Sequence, residues 1–377
     1  MQKAKTALRH LVARQLERRV QKLIANHSLK VVAVTGSYGK TSTKLAIASV
    51  LRQKYRVLAH EGNYNSEIGL PLSIFELDVP KSLINPFGWL RIFDQVDKKL
   101  AGDFPYDVLV LELGVDEPGE MNRFMRYLTP DVGVVTAIGP VHLEQFGSVE
   151  AIAKEKMTLP RGSRAVLLNA EDKRVMEEAG SLGKPVQTYG VEEGETHWSK
   201  IKRSAELTLE GTLVLNEGQV AVQTHVVGRH NLIPLAAAGA SGEELGLTPE
   251  QIKAGIEMVR PFAGRLQALQ GLDGATLLDD TYNAGPAAVT AAVQTLVELP
   301  GRHIAILGSM NELGEQAAEL HRQVGRSVKG VDILITIGSN ANTYITAGAA
   351  EAGLKPEQIH TFISPYAAGE FAKNIVQ

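Results

Sequence analysis

Cysteine is absent from the 377 residues. That excludes disulfides, a cysteine nucleophile and thiolate metal sites, and it is compatible with a reducing cytoplasm. No apolar run reaches the roughly 18 residues that span a bilayer, and the N-terminus has no signal-peptide core. Positive charge is not in excess either: a net charge of −3 argues against general nucleic-acid binding. Aromatics are scarce at 5%, yet the chain is 44% hydrophobic, enough at this length for two buried cores. These exclusions leave an ordinary α/β protein, whose chemistry has to be sought in its motifs.

The charge is unevenly spread. Residues 1–30 hold Lys3, Lys5, Arg9, Arg14, Arg18, Arg19, Lys22 and Lys30 against Glu17 alone. Leu8, Leu11, Val12, Leu16, Val20, Leu23 and Ile24 recur at spacings of three and four, which predicts a basic amphipathic helix over 1–28. It either packs on its own domain or lies on an anionic membrane surface. Residues 81–93, with Phe87, Trp89, Leu90, Ile92 and Phe93, offer a second segment open to the same two readings.

Next comes a parallel-sheet rhythm. Apolar runs at 31–36, 107–114, 131–139 and 165–170 alternate with helical or loop segments, as in a sheet covered on both faces. Residues 186–227 alternate more finely and suggest antiparallel hairpins. "VRPFAGR" (259–265) has the look of a linker, and a second α/β series follows at 276–282, 303–309, 332–338 and 359–364. The expected fold is α/β: a central domain at 29–260 with a mostly parallel sheet of P-loop type, then a smaller Rossmann-like domain at 261–377.

At the end of the first run stands "VTGSYGKTSTK" (34–44). Gly36 and Gly39 allow a tight turn whose amides face an anion, and the helix beginning near Lys40 adds its positive end. Ser37 and Ser42 lie in the same loop and first turn, Lys40 can reach β- and γ-phosphates, and the Thr41 hydroxyl can hold Mg²⁺. Polar residues at neighbouring strand ends are the natural company of such a loop. Glu112 ends "VLVLE", where a buried carboxylate needs a partner, His142 follows "VVTAIGPV", and Lys156 lies on the next helix.

"TGSYGKTSTK", "EGNYNSEIGLPL" (61–72), "LELGVDEPGEMN" (111–122), "PDVGVVTAIGPVHLEQFGSVEAIAKEK" (130–156), "GRHN" (228–231), "GRL" (264–266), "DDTYNAGP" (279–286) and "ILGSMNELGE" (306–315) occur in one order. In these blocks, from about 30 to about 370, the chain resembles the Mur ligase family, and the last two favour its dipeptide-adding branch. The resemblance implies an ADP-forming amide ligase that uses ATP and Mg²⁺ and works through an acyl phosphate. It would add D-alanyl-D-alanine to a muramoyl-peptide acceptor, as a cytoplasmic monomer with no nucleic-acid partner. It also implies that Lys40 and the loop amides bind the phosphates, that Thr41 and Glu112 serve one metal and His142 a second, and that Lys156 matches the lysine carbamylated in many members, where as a carbamate it would serve that metal. His230 and Asn231 fall to the adenine side, and Arg265 and Asp280 to the nucleotide from the C-terminal domain. Asn63, Asn65, Tyr282 and Asn283 fall to the substrates.

The sequence departs from that pattern as well. The likeness is expected to lack the N-terminal UDP-binding domain of such ligases and to stop short of their final strand. Pro234, Gly285 and Ser309 replace residues usual in the family, Gly285 standing for an asparagine. The same chemistry on a lipid-linked or polyglutamate-like acceptor therefore stays open, as does a non-catalytic nucleotide-binding scaffold.

Overall fold

The computed structural model describes residues 2–60, 66–80, 85–204 and 207–376. Its central sheet contains β1 (Lys30–Thr35), β2 (Val57–Leu58), β3 (Val108–Glu112), β4 (Val132–Val135), β5 (Ala165–Asn169) and β6 (Gln187–Tyr189), in the order β2-β3-β1-β4-β5-β6. Every pairing is parallel. Alternation along β1 explains the two faces. Val32 and Val34 point into one core with Ile47 and Leu51 of α2 (Lys40–Leu51), and with the helix Leu232–Glu244. Val31 and Ala33 point into the other. β1 lies between β3 and β4, so the chain crosses over at its carboxyl end, where open sheets bind ligands.

The basic helix α1 (Gln2–His27) belongs to the second core. Leu16, Val20 and Leu23 are fully buried there, beside Trp89, Ile92 and Val96 of the helix Pro86–Ala101. The two helices are tied by Arg19 to Asp97 at 2.7 Å and by the Arg19 guanidinium over the Phe93 ring, and the His27 ring meets that of Phe104 just beyond the second helix. Arg9 is paired with the buried Glu67 at 2.5 Å, and Arg123 meets the same carboxylate at 2.9 Å. Of the two readings open for residues 81–93, Trp89 and Ile92 take the core-packed one, so their side chains are not available to a lipid surface. Phe87, Leu90 and Leu11 stay exposed.

Residues 197–223 form the expected antiparallel meander of β7 (His197–Arg203), β8 (Leu209–Leu215) and β9 (Gly218–Gln223). Gln187–Tyr189, in contrast, joins the central sheet as a parallel edge. The second series also differs from expectation. Only β12 (Ile304–Gly308), β13 (Ile333–Ile337) and β14 (Ile359–Phe362) form the parallel sheet. Thr276–Asp279 (β11) pairs antiparallel with β10 (Gln267–Gln270). Gly271 and the left-handed Asp273 and Gly274 turn the chain between them, a local closure that competes with distant parallel pairing.

Candidate active site

The loop 36–39 leaves β1 and enters α2. Gly36 takes φ 151°, and a Cβ there would overlap Thr136 Oγ1. Gly39 caps α2 at φ 78° with no side-chain cap, so the first-turn amides of this 12-residue helix face outward. Thr136, just past β4, fastens the loop by donating to the Tyr38 carbonyl at 2.5 Å and the Thr35 carbonyl at 3.2 Å. Ser37 is used the same way. Its amide donates to the Ala137 carbonyl at 2.7 Å and its hydroxyl exchanges bonds with Gly139, so it braces the cradle rather than facing an anion. Lys40 folds back over the loop, Nζ donating to the Gly36 carbonyl at 2.9 Å. Burial lowers its pKa, with Glu112 and Asp116 opposing.

Thr41 Oγ1 donates to Glu112 Oε2 at 3.0 Å, and Lys44 Nζ lies 3.3 Å from the same oxygen. The register Val34↔Glu112 dictates this meeting by setting the end of β3 beside the end of β1. A hydroxyl and a carboxylate are hard donors that suit Mg²⁺ when phosphate oxygens and water complete its shell. Among the described residues no group of three or more His, Asp or Glu side chains forms a metal cage. The donor set fits an ion brought by a nucleotide.

Lys156, at the end of the helix Val149–Lys156, is 2% exposed. Burial first, then the Lys40 charge, lowers its pKa to about 7 against the pull of Asp116 and Glu155. His142 holds a left-handed backbone at φ 52°. Its Nδ1 is 2.8 Å from Glu312 Oε2 and its Nε2 3.3 Å from Asp116 Oδ1, so both nitrogens face carboxylates. Glu312 is itself at φ 60°. Two non-glycine residues in that region at one contact mark a site where strain is retained.

Opposite the loop, Ser42, Asn231, Pro234, Phe262 and Arg265 line a narrow cleft of about 40 Å³ between α2, the helix Leu232–Glu244 and the linker. Three predicted residues thus share one cavity. His230 is not among its walls. It packs against Gly228, and burial lowers its pKa to about 4. The Arg265 guanidinium lies 4.1 Å over the Tyr282 ring, with Nε buried and unpartnered. Asp280 accepts from the Leu266 amide at 3.0 Å, which holds the arginine's segment. Burial raises its pKa to about 6. Asn283 is exposed and bonds the Ala284 amide. Asn63 and Asn65 lie outside the described residues.

Sequence reasoning overlooked Lys44, Asp116, Glu312 and Tyr38. For Lys44 the signal was present: in "GKTSTK" it follows Lys40 by four residues, one helical turn on the same face. Glu312 had no local signal, since only the approach of the second unit makes it a neighbour of His142.

Known proteins match most of the chain. Residues 34–84 and 95–242 match the Mur ligase middle domain, and residues 264–377 the Mur ligase, glutamate ligase domain. The UDP-N-acetylmuramoyl-tripeptide–D-alanyl-D-alanine ligase of Escherichia coli K12 is 32% identical over 328 residues, 84% of this chain and 66% of that protein. The enzyme of the same name from Bacillus subtilis 168 is 30% identical over 327 residues, 85% of this chain and 65% of its own. The chain thus spans just under two thirds of these curated relatives. Among solved structures, MurF ligase from Thermotoga maritima in complex with ADP superposes with a TM-score of 0.80 at 25% identity, covering 97% of this chain and 78% of that one. MurF from Acinetobacter baumannii gives 0.79 at 26% identity, with 99% and 74% covered.

Proposed function

The chain belongs to the Mur ligase family, and from that premise we propose that it is an ATP-dependent, ADP-forming amide ligase of peptidoglycan-precursor synthesis. In this reading it adds D-alanyl-D-alanine to a muramoyl-peptide acceptor in the cytoplasm. One observation carries the reading: Lys40, the Thr41–Glu112 pair and Lys156 converge at the carboxyl ends of β1, β3 and β4, with Arg265 brought up from the linker.

The acceptor carboxylate attacks the γ-phosphorus, an O–P bond forms, and the bond to the β-phosphate oxygen breaks to release ADP. The α2 amides and Lys40 hold the phosphates, while Arg265, close enough to influence the Lys40 charge, screens the approaching anion. Mg²⁺, held through Thr41 and Glu112, would supply further charge neutralisation. The amine then attacks the acyl carbon, loses a proton, and phosphate departs. Seating of the second unit over the loop excludes water from this labile intermediate. Ser42 and Asn231 border the cleft assigned to the base, with His230 behind it, and Asp280 keeps Arg265 in place. Tyr282 and Asn283, with Asn63 and Asn65, would face the substrates. As a carbamate, Lys156 would become an anion beside Lys40. His142 would turn to a second metal only by releasing Glu312.

The test is ADP release by the full chain against a panel of carboxylate acceptors, with and without D-alanyl-D-alanine. Release that requires a muramoyl peptide and the dipeptide supports the assignment. Release with a lipid-linked or polyglutamate-like acceptor alone moves it to that substrate, and none with any acceptor leaves a nucleotide-binding scaffold. Peripheral membrane contact rests on the exposed Leu11, Phe87 and Leu90, on helices that also carry the exposed Arg14, Arg18 and Lys22. No binding to anionic vesicles at low salt would remove it. Among the described residues no helix is long and apolar enough to cross a membrane.

A further inference from the structure

Two glycines that the backbone does not require face the edges of one ring. Tyr38, in the phosphate loop, lies between Gly139, just past β4, and Gly285, at the start of the helix Pro286–Val297. Gly285 has φ −140°, a value any residue adopts, and Gly139 has no positive φ. Neither position calls for glycine on conformational grounds. Space is what calls for it. A Cβ on Gly139 would come 2.5 Å from Tyr38 Cε2, and one on Gly285 would come 2.7 Å from Cε1. Carbon atoms pack at about 3.5–4.0 Å. The two contacts fall on opposite edges of the ring, so it cannot withdraw from one glycine without closing on the other.

The Tyr38 hydroxyl is buried and has no hydrogen-bond partner. What the side chain brings to this contact is the bulk of its ring. That bulk joins the phosphate loop to the other unit at one defined point. Gly285 stands three residues after Tyr282 and two after Asn283. Any side chain at 285 would bring its Cβ to 2.7 Å from this ring, so the ring or the backbone at 285 would have to shift.

We propose that Tyr38 is a positioning residue: its ring is the stop against which the C-terminal unit seats, and it sets the distance between the phosphate loop and the Tyr282–Asn283 turn where the incoming amine is held. The amine's role rests on the ligase reading above; the wedge itself does not. Gly285 and Gly139 are the two halves of its seat.

The experiment is a double-mutant cycle in the full chain with Gly285→Ala, Tyr38→Ala and the pair. Gly285→Ala is expected to raise KM for the amine about tenfold with Tyr38 present, and less than about twofold in the Tyr38→Ala background. Affinity for a fluorescent ATP analogue should stay within about twofold in Gly285→Ala, because the phosphate loop and the α2 amides are untouched. Equal costs in both backgrounds, or no cost with Tyr38 present, would overturn the proposal. Amide hydrogen exchange supplies an arm independent of turnover. Residues 282–289 should exchange about tenfold faster in Tyr38→Ala than in the natural chain. Unchanged exchange there overturns the wedge even if Gly285→Ala does not fold. If no amine supports ADP release, the ligase reading fails while the exchange arm still decides the role of Tyr38.

Discussion

Replacing Lys156 by methionine should produce a protein that is more stable and inactive, with an advantage that depends on pH in a defined direction. Lys156 is 2% exposed and its pKa is pulled to about 7, against about 10.4 in the unfolded chain. Below pH 7 the amine is charged in both states, and the fold bears the full cost of a buried cation. Between about 7 and 10.4 the unfolded chain holds the extra proton, so stability rises with pH by about 1.4 kcal/mol per unit. The interval corresponds to about 4–5 kcal/mol as an upper bound. In carbon-dioxide-free buffer, Lys156→Met should therefore lead the natural chain most at pH 7 or below, and the lead should shrink steadily toward pH 10. Urea midpoints for both proteins across that range measure it, other groups cancelling in the difference. The same pKa leaves about three quarters of the amine neutral at pH 7.5, against about one part in 800 for an ordinary lysine. A neutral amine can add carbon dioxide, giving a carbamate and a proton. ¹³C-bicarbonate should then yield a carbamate carbon resonance in the natural chain and none in Lys156→Met, and acetate should partly restore turnover to Lys156→Ala. A stability lead independent of pH, together with no carbamate signal, would refute the reasoning.

Lys40→Ala should cut ADP formation at least about a hundredfold. Its urea midpoint should move only modestly, since two hydrogen bonds to carbonyls are lost while the desolvation cost of the cation goes with them. Glu112→Gln should abolish ADP formation and cost about 3 kcal/mol of stability by urea titration, because it removes the carboxylate charge 3.3 Å from the buried Lys44 ammonium. Asp280→Asn keeps an acceptor for the Leu266 amide and removes a carboxylate whose pKa is raised to about 6. The natural chain should lose stability relative to this variant as pH rises from about 4 to about 6, since its folded state binds the extra proton there. Unfolding midpoints at pH 4 and 7 give the sign, and an unchanged difference would show Asp280 to be solvated.

Local patterns were legible because each is decided within a few residues. The β-branched runs at 31–35 and 132–135 can only be buried strands. Gly36 and Gly39 before Lys40 announce a turn with outward amides, and the stripe Leu16, Val20, Leu23 declares a helix with one dry face. Periodicity could not tell what covers that face. Trp89 satisfies membrane chemistry and core chemistry equally well in sequence, and burial beside Val20 and Leu23 decides between them. Nor could it separate Thr276–Asp279 from the other apolar runs of the second unit, because a hairpin partner at 267–270 competes with distant strands on loop entropy alone.

By itself the sequence determined the phosphate cradle, the carboxylate due beside it and the succession of two α/β units, since each follows from backbone sterics and from the cost of burying charge. Tertiary structure alone decided which charges meet. Strand register sets Glu112 against Thr41 and Lys44. The approach of the second unit gives His142 the carboxylate of Glu312, 170 positions away, and brings Gly285 against the Tyr38 ring. The physical reason is range: steric and periodic signals die out within a helical turn or two. Coulomb energy and van der Waals contact depend on distances in space that only the completed chain fold defines.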